Sequence, residues 1–231
     1  MQSNSNISCV RLKKNVIISK IKVNYWKGII MDTSVLFKIG YGLYVLTANE
    51  GEKDNGCIIN TVMQVTSDPV QIAIAVNKKN YTNGMIQRTK KFNLSILSEE
   101  ADFPEFKHFG YQSGKDVNKF ESFSQAKRSP NGVLYVTEGS NAFISAYVKN
   151  EIDLGTHTLF IAQLVEAQNL TDTPTMTYDF YQNNAKPKPQ PVNKKGWRCK
   201  ICGYVYEGET LPPDYICPIC KHGAVDFEPI G

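Results

Sequence analysis

The stretch Val70-Gln-Ile-Ala-Ile-Ala-Val-Asn77 decides the fold of the larger part of this chain. Val70, Ile72, Ile74 and Val76 fall on one side of an extended backbone while Ala73 and Ala75 share the other, the period of two that a strand requires. The same alternation recurs in residues 43–48 (LYVLTA), 92–97 (FNLSIL), 141–149 (NAFISAYVK) and 157–168 (HTLFIAQLVEAQ). Helical periodicity is confined to short pieces: Ser34 to Ile39, a turn or two around Met85 and Ile86, and Pro104 to Phe109. Many short strands with Gly, Asn and Asp between them predict a mainly β chain, an antiparallel barrel or sandwich with a few short helices.

Working outward from that strand, 231 residues and 42% hydrophobic content allow one ordinary domain and a small one. The segment 182–195, QNNAKPKPQPVNKK, has three prolines, four lysines and Val192 as its one large aliphatic residue, so it reads as an extended linker. It separates a domain at 31–181 from one at 196–231. Residues 1–30 hold six Lys/Arg and no acid, and a second plausible start stands at Met31. They read as a basic extension, disordered or mis-assigned, with an added strand or docking arm as the alternative.

Charge follows the same partition. The whole chain is +4, but residues 31–181 carry thirteen Lys/Arg against seventeen Asp/Glu, and 196–231 three against five. The folded parts are therefore acidic, and no basic face interleaved with aromatics suggests nucleic-acid binding. No apolar run approaches the roughly 18 to 20 residues of a membrane span, and no secretory signal pattern is present, so a cytoplasmic protein is expected.

Gly110-Tyr-Gln-Ser-Gly114-Lys115 is one residue short of a P-loop, and Asp116 stands where Ser or Thr would hold magnesium. Gly40-Tyr-Gly42 lacks the third glycine of a Rossmann fingerprint. Cys199, Cys202, Cys217 and Cys220 do form a strong motif, two Cys-x-x-Cys hooks fourteen residues apart. Two thiolate pairs of this kind make a tetrahedral metal site; paired disulfides are disfavoured in a reducing compartment.

Around the hooks stand Trp197, Gly203, Tyr204, Tyr206, Tyr215, Pro218 and Phe227. With glycine after the second cysteine and proline after the third, residues 196–231 resemble a rubredoxin domain, in which four cysteines hold one iron. The spacing between hooks is shorter than in free-standing rubredoxins and resembles the trimmed form fused to other redox domains. A structural zinc ribbon uses the same ligands and is the alternative. The aromatic shell implied by the resemblance would limit solvent at the iron.

The larger domain carries a second resemblance. Asp32 to Thr47, Asn60-Thr61-Val-Met-Gln64, Asn77-Lys-Lys-Asn80-Tyr81-Thr82, Phe109-Gly110 with Ser113-Gly114-Lys-Asp116, Lys119-Phe120 and Asp153 to Phe160 resemble the flavin reductase-like split barrel. The full chain resembles the high-molecular-weight rubredoxins, in which that barrel is fused to rubredoxin. The resemblance implies non-covalent FMN, usually at the interface of a homodimer. It places Thr47 among the cofactor-binding residues. Asn60, Thr61 and Gln64 would serve the pyrimidine edge and ribityl chain. Lys79, Asn80 and Thr82, at a turn entering a short helix, would hold the phosphate where the helix N-terminus favours negative charge. Lys119 would reach the cofactor from a loop, and His157 would line the face where a donor docks. Ordinary strand-end, solvated or interior roles are the alternatives for Asn60, Thr61, Lys119 and His157. Asn80 and Asn83 stand where the family often has serine and histidine. Cys57 reads as a small buried strand residue, with a flavin-proximal thiol as the alternative.

The function implied is electron transfer: FMN takes electrons from NAD(P)H or a reductase and passes them through the cysteine-bound iron to an acceptor. The implied partners are an NAD(P)H-dependent rubredoxin reductase and a flavodiiron-type oxygen or nitric oxide reductase. Two alternatives stand beside it, an NAD(P)H:flavin oxidoreductase with an accessory rubredoxin, and a flavin-binding sensor with a zinc ribbon.

Overall fold

A computed structural model describes residues 25–26, 29–30, 33–187, 196–201, 203–218 and 222–230. The chain divides into two compact units, residues 1–39 and 40–231. In the first, β1 (Tyr25–Trp26) pairs antiparallel with β2 (Ile29–Ile30), and Thr33–Lys38 forms a 3-10 helix. The remainder of the basic extension lies outside the described residues.

The second unit is built on seven antiparallel strands: β3 (Tyr44–Glu50), β4 (Lys53–Ile59), β5 (Val62–Ser67), β6 (Val70–Asn77), β7 (Lys91–Leu97), β10 (Ser140–Asp153) and β11 (His157–Asn169). Their order is β4-β3-β7-β10-β11-β6-β5. The two outermost strands are consecutive in sequence, with Asn60 and Thr61 alone between them. Six strand spacings in a flat sheet would separate its edges by roughly 29 Å, whereas the three backbone steps from Ile59 to Val62 reach about 11 Å. The sheet must therefore roll up, which is the split barrel. Register shifts in β10 at Ser145/Ala146 and Val148/Asn150 supply the bend, so that its first half pairs with β7 while nearly its whole length pairs with β11.

Two cores flank β3 and β7. One contains Leu46, Ile74, Phe92, Leu94 and Phe160 together with Met85 and Ile86 from α1 (Tyr81–Thr89). The other sets Leu43, Val45 and Leu97 against Phe106 and Phe109 of α2 (Phe103–Gly110), with Met176 and Tyr181. Because Val45 and Leu46 point to different cores, residues 43–48 are apolar on both sides. A hairpin of β8 (Ala126–Arg128) and β9 (Leu134–Val136) is fastened by buried polar bonds. The Asn93 amide donates to Ser129 Oγ and the Val133 carbonyl, both at 2.8 Å, and Ser95 Oγ accepts from Val136 N.

After α3 (Tyr178–Phe180), residues Tyr181–Ala185 close a π-type turn, with Tyr181 buried against Phe106 at 4.5 Å between ring centres. The expected linker thus starts too early at 182: an aromatic anchor holds the chain to the barrel for one more turn. Most of that linker lies outside the described residues. The tail is a three-stranded sheet, β13 (Val205–Tyr206), β12 (Gly196–Cys199) and β14 (Phe227–Ile230), with a 3-10 turn at Ala224–Asp226. Among the described residues no helix is long and apolar enough to cross a membrane.

Candidate functional site

The end of β6 and the start of α1 form one wall of a cleft of about 510 Å³, well within the roughly 300–1,000 Å³ of ligand sites. Asn77, Lys79, Asn80 and Tyr81 come from this segment, and Ser113, Lys115 and Asp116 from the loop after α2. Ile58, Gly110 and Gln112 complete the barrel's share of the lining, and His222 of the tail joins them. Asn80 is the N-cap residue of α1, yet its side chain makes no bond to the helix, and the first turn holds no acid. An uncapped helix N-terminus between two lysines favours an anion such as a phosphate. The loop side has its own tight turn: Asp116 N and Val117 N both donate to the Ser113 carbonyl, and Lys115 N donates to Ser113 Oγ.

Register puts Asn60, Thr61 and His157 near the Asn77 end of β6, beside the cleft lining, whereas Gln64 pairs with Ile72, five residues back along that strand. Asn60 and Thr61 join β4 to β5, where the Thr61 hydroxyl donates to Asn60 Oδ1 at 3.0 Å and Ala75 N donates to the Thr61 carbonyl. His157 opens β11 directly across from Asn77, half-buried, with Nδ1 2.9 Å from Thr156 Oγ1. Gln64 lies exposed on β5 with its amide donating to the Thr66 carbonyl.

Three expected residues are turned inward. Thr47 is fully buried and gives its hydroxyl to the Leu134 carbonyl of β9, on the side of β3 that faces the second core. Thr82 is fully buried too, accepting from Asn55 Nδ2 at 2.8 Å. Lys119 is 3% exposed, and its ammonium donates to the carbonyls of Gly56 and Phe109, both at 2.8 Å. Burial pulls that ammonium down to about 8, with the nearby Cys57 thiol acting the other way. Cys57 is buried, as expected, and burial pushes its thiol up while hydrogen bonds to Thr82 and Asn80 oppose the rise. Short polar side chains in a family motif do not announce which side of the backbone they take; packing decides it.

Ser113, Lys115 and Asp116 were missing from the expected site. Their signal was present in Ser113-Gly114-Lys115, part of the resemblance to the flavin reductase-like barrel, but a failed P-loop comparison says nothing about other anion sites. Gly114 sits where a Cβ would fall 2.1 Å from Asn55 Oδ1, so only glycine lets this loop lie so close to β4.

In the tail, Cys199 is 1% and Cys217 0% exposed. Cys202 and Cys220 lie outside the described residues. Each described thiol begins a hook. Gly203 N donates to the Cys199 carbonyl with Gly203 at φ +79°, a left-handed turn that favours glycine, and Cys217 N donates to the His222 carbonyl. Trp197, Tyr204, Tyr206, Leu211 and Tyr215 pack round them, the Tyr206 ring tilted against Tyr215 at 4.6 Å between centres and Tyr215 edge-on to Phe227. Two sheltered sulfurs on separate turns, inside an aromatic shell, fit a tetrahedral thiolate site.

The flavin reductase like domain family matches residues 36–186, and the rubrerythrin, rubredoxin-like domain family matches residues 197–228. A high molecular weight rubredoxin of Moorella thermoacetica is 34% identical over 230 residues, 87% of this chain and 100% of that protein. A ferric-chelate reductase (NAD(P)H) of Archaeoglobus fulgidus is 38% identical over 158 residues, 68% of this chain and 93% of that protein. An FMN-binding protein from Thermus thermophilus shares the fold at a TM-score of 0.55 and 18% identity, over 64% of this chain and 80% of that one. Flavin and iron are the cofactors these two domains imply. The chain belongs to the flavin reductase-like family and, with its rubredoxin-like tail, to the high molecular weight rubredoxins.

Proposed function

We propose that this chain is an electron carrier in which FMN, seated at the barrel cleft, receives electrons from NAD(P)H or a reductase and an iron held by Cys199, Cys202, Cys217 and Cys220 delivers them to an acceptor. The observation that carries the reading is the convergence of the uncapped start of α1 with Lys79 and Lys115 on one cleft, to which the tail contributes His222. Lys79, Asn80 and the first-turn N–H groups of α1 bind the phosphate end. Asn60, Thr61 and Gln64 serve the ring edge and ribityl chain, and His157, across from Asn77, lines the approach of the donor. The bound flavin supplies the exchange between two-electron and one-electron chemistry. The polypeptide binds, orients and shields.

A homodimer belongs to this reading. The outer face of β5, β6 and β11 is apolar across its register: Met63 opposite Ala73, Ala73 opposite Ile161, and Ala75 opposite Leu159. Met63, just past the Asn60–Thr61 junction, is 61% exposed, an apolar side chain that a second copy would bury. A reducing cytoplasm suits a thiolate-bound iron. A flavodiiron-type oxygen or nitric oxide reductase downstream and an NAD(P)H-dependent rubredoxin reductase upstream are the partners of the right chemistry.

Anaerobic titration of the full chain with NADH, with and without those partners, tests the reading. Flavin bleaching followed by iron bleaching, fast only when a reductase is added, is expected. A colourless protein holding zinc would overturn it. The likeness to a ferric-chelate reductase favours a second reading, in which the barrel oxidises NAD(P)H directly; rapid turnover with NADH and no partner would select it.

A further inference from the structure

Among the described residues Lys119 is the one buried lysine, and none of the carboxylates forms an ion pair with it; the Cys57 thiol is the titratable neighbour of its ammonium. Its Nζ lies between two backbone carbonyls, Gly56 in β4 and Phe109 near the end of α2. Its own carbonyl accepts from His108 Nε2 at 2.7 Å, so the same residue is gripped from α2 at both ends. Burying an ammonium is expensive unless its protons are satisfied, and a residue so placed acts on whatever its bonds join. Here they join the far end of a strap, residues 110–120, to a strand and a helix. Along that strap stand Gly110, Ser113, Lys115 and Asp116, all lining the cleft. Gly114, between Ser113 and Lys115, rests against the Asn55 side chain, whose Oδ1 is buried without a partner. The strap is thus held at two points, by close contact at Gly114 and by the ammonium of Lys119.

Resting on the reading of this cleft as a flavin-phosphate site, we propose that Lys119 is a positioning residue and no ligand: it ties the strap down and thereby sets where Ser113 and Lys115 meet the cofactor. The ammonium itself faces the interior, so the cofactor feels it only through the strap.

The test is a double-mutant cycle on the full, iron-loaded chain, read by FMN binding through flavin fluorescence quenching. Lys119→Met is expected to weaken FMN binding roughly tenfold, the scale of one or two displaced charge-assisted hydrogen bonds, with the spectrum of the bound flavin unchanged. Lys115→Met weakens binding in the native background but costs less than about twofold when Lys119 is already Met, because residues acting through one another are not additive. Losses that simply multiply, or native affinity in Lys119→Met, would overturn the proposal. If Lys119→Met does not fold, Gly114→Ala lifts the same strap from its other anchor; it should lose FMN affinity to a similar degree, and retained affinity counts against the strap. A native chain that binds no FMN would sink the flavin reading instead. Hydrogen exchange then still decides the latch: the amides of residues 111–118 should lose protection in Lys119→Met and keep it in Lys115→Met, and equal protection in both refutes it.

Discussion

The barrel and the tail are held together in different ways. In the barrel, one core alone gathers fourteen buried residues, among them Phe92, Phe160, Leu46 and Ile74, and a second core lies on the other side of β3. Among the described residues of the tail the buried set is Cys199, Cys217 and Phe227. Two of those three are thiols of the expected metal site. A domain of about 36 residues cannot bury enough apolar surface to offset its chain entropy. On the proposed reading the barrel is a scaffold that presents a cofactor cleft, whereas the tail's fold would depend on the metal its cysteines hold.

The sharpest way to break that comparison is to take the metal away. Cys217→Ser should abolish the iron absorbance and unfold the tail, since metal binding in such small domains is worth on the order of 10 kcal/mol of folding free energy. Proteolysis confined to residues 196–230, with flavin binding intact, is the expected pattern; a protected tail without metal would contradict it. The converse is Phe160→Ala, which should destabilise the barrel by about 3–5 kcal/mol in denaturant unfolding while the iron spectrum stays unchanged. Coupled loss of both signals would mean the two regions fold as one.

A smaller effect lies where the barrel is poorly compensated. Burial, with Asp102 and Glu138 nearby, raises the Glu105 carboxyl from its ordinary value to about 8, and its Oε1 is buried without a partner. The folded chain then keeps a proton that the unfolded chain releases above pH 4.5. Stability from this group is complete below the unfolded value and is lost as pH rises through about 8. Glu105→Gln should remove that loss, gaining on the order of 2 kcal/mol at pH 8 and little at pH 4.5, as read from urea unfolding at the two pH values. The smallest effect belongs to Lys79, exposed beside the α1 N-terminus. Lys79→Met should weaken FMN binding by about two- to fivefold, the worth of one solvated charge near a phosphate, and the loss should shrink at high salt.

Strands with a clean period of two could be read before the fold was seen, and the 70–77 and 157–168 segments lie where expected, within a residue. β4 is different. Lys53-Asp-Asn-Gly-Cys57 carries charge, turn formers and a glycine, yet Asn55, Gly56 and Cys57 are all buried. Gly56 is there because a Cβ would fall 3.0 Å from the Phe109 ring, a requirement set by a residue more than fifty positions away. The 126–136 hairpin escaped notice for a similar reason: its strands are three residues long and owe their place to side chains on β7.

By itself the sequence determined that the chain has a β-rich body, a separate four-cysteine tail and a family resemblance that places flavin and iron together, because periodicity, ligand spacing and local motifs are written in neighbouring residues. Only the tertiary structure decided which motif residues face the cleft. Thr47, Thr82 and Lys119 are buried in the protein interior and Lys115 joins Lys79, because side-chain direction follows from sheet register and from how a loop is pinned, and those depend on contacts between residues far apart in the chain.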